Sequence, residues 1–267
     1  MPKISILGTG WLGFPLAKSL LEKGYRIKTS TTSPEKLDEL EAFGLNASLV
    51  FVFEDKIEGN IEKFLRESEI LIINIPPKLR SPKRENFVAK IKNVITAIEK
   101  STVNKVLFVS STSVYGDDEN YRVVDEKSPE NPDTESGKQI LESEKLLQGN
   151  KNFQTTILRF GGLIGPGRNL IKFLSGKENV PNAKAPINLI EQKDCIEIIH
   201  QIIEKNCWNE TFNGVNPNHP SREEYYSKQA VLHGFIAPKF SNETSKGKTV
   251  NSKKSEEILG IVYHALA

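Results

Sequence analysis

The chain has 267 residues, 37% hydrophobic and 26% charged, with 36 Lys and Arg against 34 Asp and Glu for a formal net charge of +2; this is enough for one large α/β domain or one with a small appendage. A balance so near neutral lacks the concentrated basic face of a nucleic-acid binder, and no apolar run approaches the roughly eighteen residues of a membrane span, so neither nucleic acid nor membrane is expected as a partner. Cys195 and Cys207 have no metal-ligand spacing and need no disulfide in a reduced compartment; no metal site is expected, and with no leader-like cleavage signal the expected location is the cytoplasm.

Ile4-Ser5-Ile6-Leu7 is an apolar run followed at once by Gly8-Thr9-Gly10-Trp11-Leu12-Gly13. Leu12, Leu16, Ala17, Leu20 and Leu21 then recur at three- and four-residue spacing, which predicts a helix with one apolar stripe. Pro15 falls in its first turn, where a missing N–H costs little, and Gly24 ends it before a second strand, Tyr25 to Ser30. Strand, glycine turn, helix and strand within about thirty residues form a βαβ unit. In such a turn the first glycine permits the reversal, the second lets a diphosphate approach bare backbone, and the third lets the helix pack closely on the strand. The free amides and macrodipole of the helix start favour an anion by about 0.3–1 kcal/mol.

The alternation continues. A helix is predicted from Pro34 to Phe43, a strand from Ala47 to Phe53, a short helix near Ile61–Leu65, and a strand from Ile70 to Asn74 of the kind buried on both faces. Phe87, Ile91, Val94, Ile95 and Ile98 mark the best amphipathic helix, which leads to a fifth strand, Lys105 to Ser110. After a polar loop come a helix from about Thr134 to Leu147 and a sixth strand, Thr155 to Arg159. This predicts an α/β fold, a Rossmann-type doubly wound parallel sheet, with residues 1–160 as the dinucleotide-binding domain. Residues 161–267 are expected to complete the sheet over about 187–215, with a helix marked by Cys195, Ile199, Ile202 and Ile203 and a strand from Thr211 to Val215, and to form a small substrate-binding cap that includes a Tyr225–His233 helix and the Leu259–Tyr263 end. In that cap His219 and His233 are read as structural or surface residues. The basic cluster Lys239, Lys246, Lys248, Lys253 and Lys254 is read as a solvated surface.

Four segments together resemble the extended short-chain dehydrogenase/reductase family, which contains NAD(P)-dependent sugar-nucleotide epimerases and dehydratases. They are the Gly8–Gly13 turn, Phe108 to Gly116 with its Ser110-Ser111-Thr112-Ser113-Val114-Tyr115, the crossing from Leu158-Arg159 to Gly165-Pro166-Gly167, and Asn188-Leu189-Ile190 followed by Asp194. The resemblance covers nearly the whole chain. It implies Ser111 at the position of the catalytic serine, cofactor contacts at Ile75, Pro76, Ser110 and Phe160, a small-molecule substrate such as a sugar nucleotide, and a homodimer.

One departure stands out. The family's chemistry uses Tyr-x-x-x-Lys on the helix after the fifth strand, where the spacing puts both side chains on one face and the lysine lowers the phenol pKa. Here that helix reads Thr134 to Glu144 without a tyrosine. One alignment puts Ser136 at the tyrosine and Ile140 at the lysine; the other puts Thr134 and Lys138 there. Either way an aliphatic hydroxyl replaces the phenol, and losing a positioned acid or base forfeits about 10²–10⁴ in rate. Tyr115 or Tyr121 in the loop after Ser111, with Lys138 toward the ribose, are the substitutes the sequence offers.

NAD-preferring sheets place an acidic residue about twenty positions past the glycine turn, at the end of the second strand. Here that region is Lys28-Thr29-Ser30-Thr31-Thr32-Ser33-Pro34-Glu35-Lys36. Hydroxyls at Ser30, Thr31 and Thr32 with the Lys36 ammonium suit a 2′-phosphate, so NADP(H) is expected ahead of NAD(H). The expected function is an NADP(H)-binding oxidoreductase or epimerase/dehydratase-like enzyme; the alternative is a non-catalytic NAD(P)-binding sensor or scaffold.

Overall fold

The apolar runs become the inner strands of a sheet, and a computed structural model describes residues 1–77 and 85–266 of the chain. Strands β1 (Lys3–Leu7), β2 (Arg26–Thr31), β3 (Asn46–Val52), β4 (Ile57–Gly59) and β5 (Ile70–Ile73) are interleaved with helices α1 (Gly13–Glu22), α2 (Glu35–Ala42) and α3 (Ile61–Leu65). Next come α4 (Phe87–Glu99), β6 (Lys105–Ser111), β7 (Val123–Val124), α5 (Glu135–Gly149) and β8 (Gln154–Phe160). The remainder holds β9 (Gly162–Ile164), β10 (Leu189–Glu191), α6 (Gln192–Glu204), β11 (Thr211–Gly214), α7 (Arg222–Leu232), β12 (Thr249–Val250) and α8 (Lys253–Leu259).

Two compact units share these elements. The first comprises Met1–Ser111, Thr134–Arg159 and Ile199–Thr211; the second comprises Thr112–Asp133, Phe160–Ile198 and the chain from Phe212 onward. Among the described residues the main sheet has the order β11-β8-β6-β5-β1-β2-β3-β4, with β11 starting at Thr211 in the first unit. The ladders of β1 with β2 and β5, of β2 with β3, and of β5 with β6 are parallel. All four β5 residues are buried, as an inner strand covered on both faces requires. The sheet is parallel at these pairs but carries one antiparallel edge strand, β4, against β3. Three residues are too few to show alternation in a sequence. The edge needs Gly59, whose φ is +91° and whose Cβ would lie 2.1 Å from the Leu49 carbonyl oxygen.

Helix α1 buries Gly13, Leu16, Ala17 and Leu20, and α4 buries Phe87, Ile91, Val94 and Ile98, the stripes that the spacing predicts. Thr134 starts α5 as its N-cap, its Oγ1 accepting the Gly137 N–H at 3.1 Å. Farther along α5, Glu144 is 1% exposed and takes a guanidinium fork from Arg159 of β8, with Nη2 to Oε2 at 2.6 Å and Nε to Oε1 at 3.1 Å. Ser110 Oγ of β6 donates to the same carboxylate. This buried carboxylate therefore ties α5 to two strands.

In the second unit, β9 pairs with β10 and β7 with β12, both parallel. Ile164, Ile171, Ile187, Leu189, Tyr225, Tyr226 and Ala230 form its core, and α7 starts with a Ser221/Glu224 capping box. Two asparagines act as side-chain strands. Asn188 donates to the Lys248 carbonyl and accepts from the Val250 N–H, both at 2.8 Å, and Asn213 Nδ2 donates to the Asn251 carbonyl at 3.0 Å. Asp194, 1% exposed, accepts from both the main-chain N–H and Nδ1 of His264, which fastens the last segment.

Glu144→Leu alone is expected to cost about 3–5 kcal/mol, because Arg159 stays buried without its carboxylate, whereas Glu144→Leu with Arg159→Met should recover most of the loss. Urea denaturation of wild type, single and double variants checks this.

Candidate cofactor site

The main sheet reverses its direction of growth at β1, with β2 and β3 on one side and β5, β6 and β8 on the other. Open α/β sheets leave a crevice at such a point, outside the carboxyl ends of the strands. The Gly8–Gly13 turn follows β1 into that crevice, and Asn74, Ile75 and Pro76 follow β5.

Each glycine of the turn has its own reason. Gly8 has φ +103° and a Cβ there would sit 2.5 Å from the Asn74 carbonyl oxygen, so the turn passes directly against the end of β5. Gly13 opens α1 with its Cα so near the turn that a Cβ would lie 2.2 Å from the Gly8 carbonyl oxygen. A Cβ on Gly10 would meet nothing within 4 Å, which leaves open space over its backbone. Two bonds to Ser30 fix the turn to β2: Gly8 N–H to Oγ and Thr9 N–H to the carbonyl, each at 3.0 Å. Asn74 Nδ2 donates to the Gly8 carbonyl at 3.0 Å from the other side.

The start of α1 is left for an anion. Its N-cap, Leu12, provides no side-chain acceptor and its first turn has no carboxylate; Phe14 N–H is bonded to the Gly10 carbonyl at 3.0 Å and Pro15 has no N–H, so what the helix start offers the crevice is chiefly the unopposed positive end of its dipole. Thr9 Oγ1 is buried and among the described residues has no hydrogen-bond partner, an unmet donor beside the helix start. These features fit a dinucleotide's diphosphate: an open backbone at Gly10, an uncapped helix and an unpartnered hydroxyl.

Gly8, Thr9, Gly10, Ser30, Thr31, Thr32, Lys36, Ile75 and Pro76 line one cleft within the first unit, together with Leu7, Ser33, Val50, Val52, Asn74 and Lys90. Trp11 is half-buried, while Leu12 and Gly13 are buried at the start of α1. Ser111 is the half-buried last residue of β6, and its neighbour Ser110 donates into the buried Glu144 carboxylate. On α5, Ser136 is half-buried and Ile140 and Glu144 are buried, whereas Thr134 and Lys138 are exposed; the Ser136 register thus looks inward and the Lys138 register outward. In the second unit Tyr115 is 1% exposed and donates its hydroxyl to Asn213 Oδ1 at 3.1 Å. Phe160 is buried there, and a Cβ on Gly214 would lie 2.5 Å from its ring.

Sequence reasoning passed over Val50, Val52 and Lys90. The valines carry no chemical signal of their own, and Lys90 stands inside an amphipathic helix where a lysine reads as solvent-facing. The same unit-by-unit view explains the basic cluster. Lys239 pairs with Glu178 at 2.7 Å and Lys248 with Asp117 at 2.6 Å; Lys246 lies 3.7 Å from Glu119 and Lys253 3.4 Å from Glu257, and Lys254 sits over the Phe212 ring. His219 Nδ1 contacts the Ile187 carbonyl at 2.8 Å. Burial pushes the Cys195 thiol well above the ordinary range, which removes it as a nucleophile. Among the described residues no helix is long and apolar enough to cross a membrane.

A doubly wound sheet with a glycine turn and an uncapped helix start at its switch point defines a dinucleotide-binding protein of the Rossmann type. Known proteins agree: residues 4–205 match the NAD dependent epimerase/dehydratase family. Protein YeeZ of Escherichia coli is 30% identical over 266 residues, covering 98% of this chain and 96% of that protein. UDP-N-acetylglucosamine 4-epimerase from Bacillus cereus superposes with a TM-score of 0.79 at 16% identity, over 100% of this chain and 92% of its own. MoeE5 in complex with UDP-glucose and NAD does so with a TM-score of 0.80 at 16% identity, over 99% and 94%. The chain belongs to the NAD dependent epimerase/dehydratase family, as an atypical extended short-chain dehydrogenase/reductase, and is an NAD(P)-binding, epimerase-like protein.

The turn makes opposite demands at two positions. Gly10→Ala should leave the unfolding temperature unchanged yet weaken dinucleotide binding by about tenfold or more, since its methyl enters the cradle. Gly13→Ala should destabilise the fold by about 1–3 kcal/mol. Thermal unfolding and cofactor fluorescence titration of the two variants separate these effects.

Proposed function

We propose that the chain is an NADP(H)-dependent oxidoreductase or epimerase/dehydratase-like enzyme acting on a small molecule of the sugar-nucleotide class. The carrying observation is the cleft wall beyond the glycine turn: Ser30, Thr31, Thr32, Ser33 and Lys36 line it, and among the described residues no carboxylate does. Strand β2 ends at Thr31, where an NAD-preferring sheet offers an acid to the ribose 2′-hydroxyl. Thr31 Oγ1 accepts the Ser33 N–H at 3.1 Å, which fixes the loop as a turn of hydroxyl-bearing residues. The nearest carboxylate in sequence, Glu35, is taken up by Ser33 Oγ, and that bond holds its carboxyl below the usual range. A 2′-phosphate at this wall meets hydroxyl donors and an ammonium instead of a repelling carboxylate.

A bound nicotinamide supplies hydride chemistry; the protein's part is to orient the substrate and route a proton. Ser111, at the end of β6, is the hydroxyl assigned to orient a substrate carbonyl or hydroxyl. No tyrosine occurs on α5, and Thr134 already serves as its cap, so the proton route differs from that of typical relatives. The sugar-nucleotide class is supported by the epimerase and UDP-glucose-bound proteins that share the fold. The missing tyrosine also favours a second reading, a cofactor-occupied sensor or scaffold.

Titration of the purified protein with NADPH and NADH is expected to show tighter NADPH binding; tighter NADH binding overturns the cofactor assignment. With a panel of nucleotide sugars, turnover is expected to fall about 10²-fold in Ser111→Ala. Equal turnover removes the role of Ser111, and no turnover by the wild type favours the sensor.

A further inference from the structure

Lys90 is a lysine that α4 does not present to bulk water. Its side chain is 10% exposed, and it lines the same cleft as Gly10, Ser30 and Lys36. The placement is built by its helix neighbours. Asn86, Lys90 and Asn93 share one face at four- and three-residue spacing, and both asparagine positions are tied to the chain just past β3. Asn93 Nδ2 donates to the carbonyls of Phe53 and Glu54, each at 3.0 Å, and the Asn86 N–H donates to the Glu54 carboxylate. Phe87 N–H, bonded to Gln139 Oε1 at 2.7 Å, holds the other side of the same turn to α5. Lys90 is thereby held toward the carboxyl end of β3, where Val50 and Val52 line the cleft.

Strand order places the parts of a dinucleotide. With the diphosphate over the turn after β1 and the ribose at the end of β2, the next strand outward, β3, lies under the adenosine end. A cation there faces the adenosine side and not the reacting ring. Lys90 is paired with Glu85, whose side chain is 34% exposed. An ammonium has three donors, so one carboxylate does not exhaust it, and a largely desolvated cation gains from a second anion.

We infer that Lys90 is a cofactor-selectivity residue, which together with Lys36 takes the 2′-phosphate of the adenosine ribose while Glu85 competes for its ammonium. The inference rests on the NADP(H) reading above and adds a residue from a different element to it. Lysine serves here as a point charge and needs no fork geometry, so arginine is an acceptable replacement and methionine, of similar length and apolar, is not.

The probes are 2′,5′-ADP and 5′-ADP, titrated by calorimetry against wild type, Lys90→Met, Lys90→Arg and Glu85→Gln, with thermal unfolding of each ligand-free protein as the folding control. Lys90→Met is expected to weaken 2′,5′-ADP by about tenfold or more while 5′-ADP changes by less than about threefold, and Lys90→Arg to keep most of the wild-type affinity. Glu85→Gln, which leaves Lys90 in place, is expected to tighten 2′,5′-ADP selectively. Equal weakening of both nucleotides, or of neither, in Lys90→Met overturns the assignment; unchanged or weaker 2′,5′-ADP binding in Glu85→Gln does the same and serves as the deciding arm if Lys90→Met does not fold. The wild-type arm is separate: no preference for 2′,5′-ADP over 5′-ADP sinks the NADP(H) reading, whereas a clear preference that survives Lys90→Met sinks only Lys90.

Discussion

The backbone after β1 and the backbone after β5 run so close together that no side chain fits between them at Gly8. A Cβ at that position would press on the Asn74 carbonyl oxygen at 2.5 Å, and the Asn74 amide returns a hydrogen bond to the Gly8 carbonyl. This contact exists because β1 pairs in parallel with β5, Ile4 opposite Ile70 and Leu7 opposite Ile73, so both strands deliver their ends to the same crevice. The centre of the sheet must then be buried on both faces, and the one polar side chain inside β1 is accommodated: Ser5 Oγ reaches the Phe64 carbonyl at 2.8 Å and Ser68 Oγ at 2.7 Å. With β1 held there, Gly13 brings α1 against the turn, and the positive end of its dipole lies where the strands open.

Much of this was legible in the sequence because the signals were local. The glycine spacing, the period of α1 and the four-residue apolar run of β5 each report on a neighbour within a turn or a strand. Hydroxyls at Ser30, Thr31 and Thr32 were legible for the same reason: they end the strand beside the glycine turn. What escaped depends on chain segments far apart. Strand β4 is made by a tight return of Gly59 onto Leu49, and nothing in three residues announces it. The role of Lys90 comes from the anchoring of α4 to residues 53 and 54, about forty positions earlier in the chain. Nothing in the sequence announces that Asn188 and Asn213 act as substitute strands for residues 248 to 251. The C-terminal lysines, read as a solvated surface, each have a neighbour: carboxylates of distant segments for Lys239, Lys246 and Lys248, Glu257 of the same helix for Lys253, and the Phe212 ring for Lys254.

Helix α5 shows how a departure from the family pattern can leave the architecture intact. The inward face carries Ser136, Ile140 and Glu144 at four-residue spacing, and Glu144 makes a polar attachment to two strands. Its carboxylate meets Arg159 and Ser110 in the interior, where removal of one partner is costly and the remaining groups leave little choice of register. Whichever register is taken, Ser136 with Ile140 or Thr134 with Lys138, Glu144 holds the helix from a separate position, and Ser111 follows the anchored Ser110 at the end of β6. Among the described residues the cleft is lined from the first unit, and none of the lining residues belongs to α5. The proposed cofactor contacts thus lie on other elements than Ser136 and Ile140, so a substitution on this face of α5 leaves the cleft lining in place.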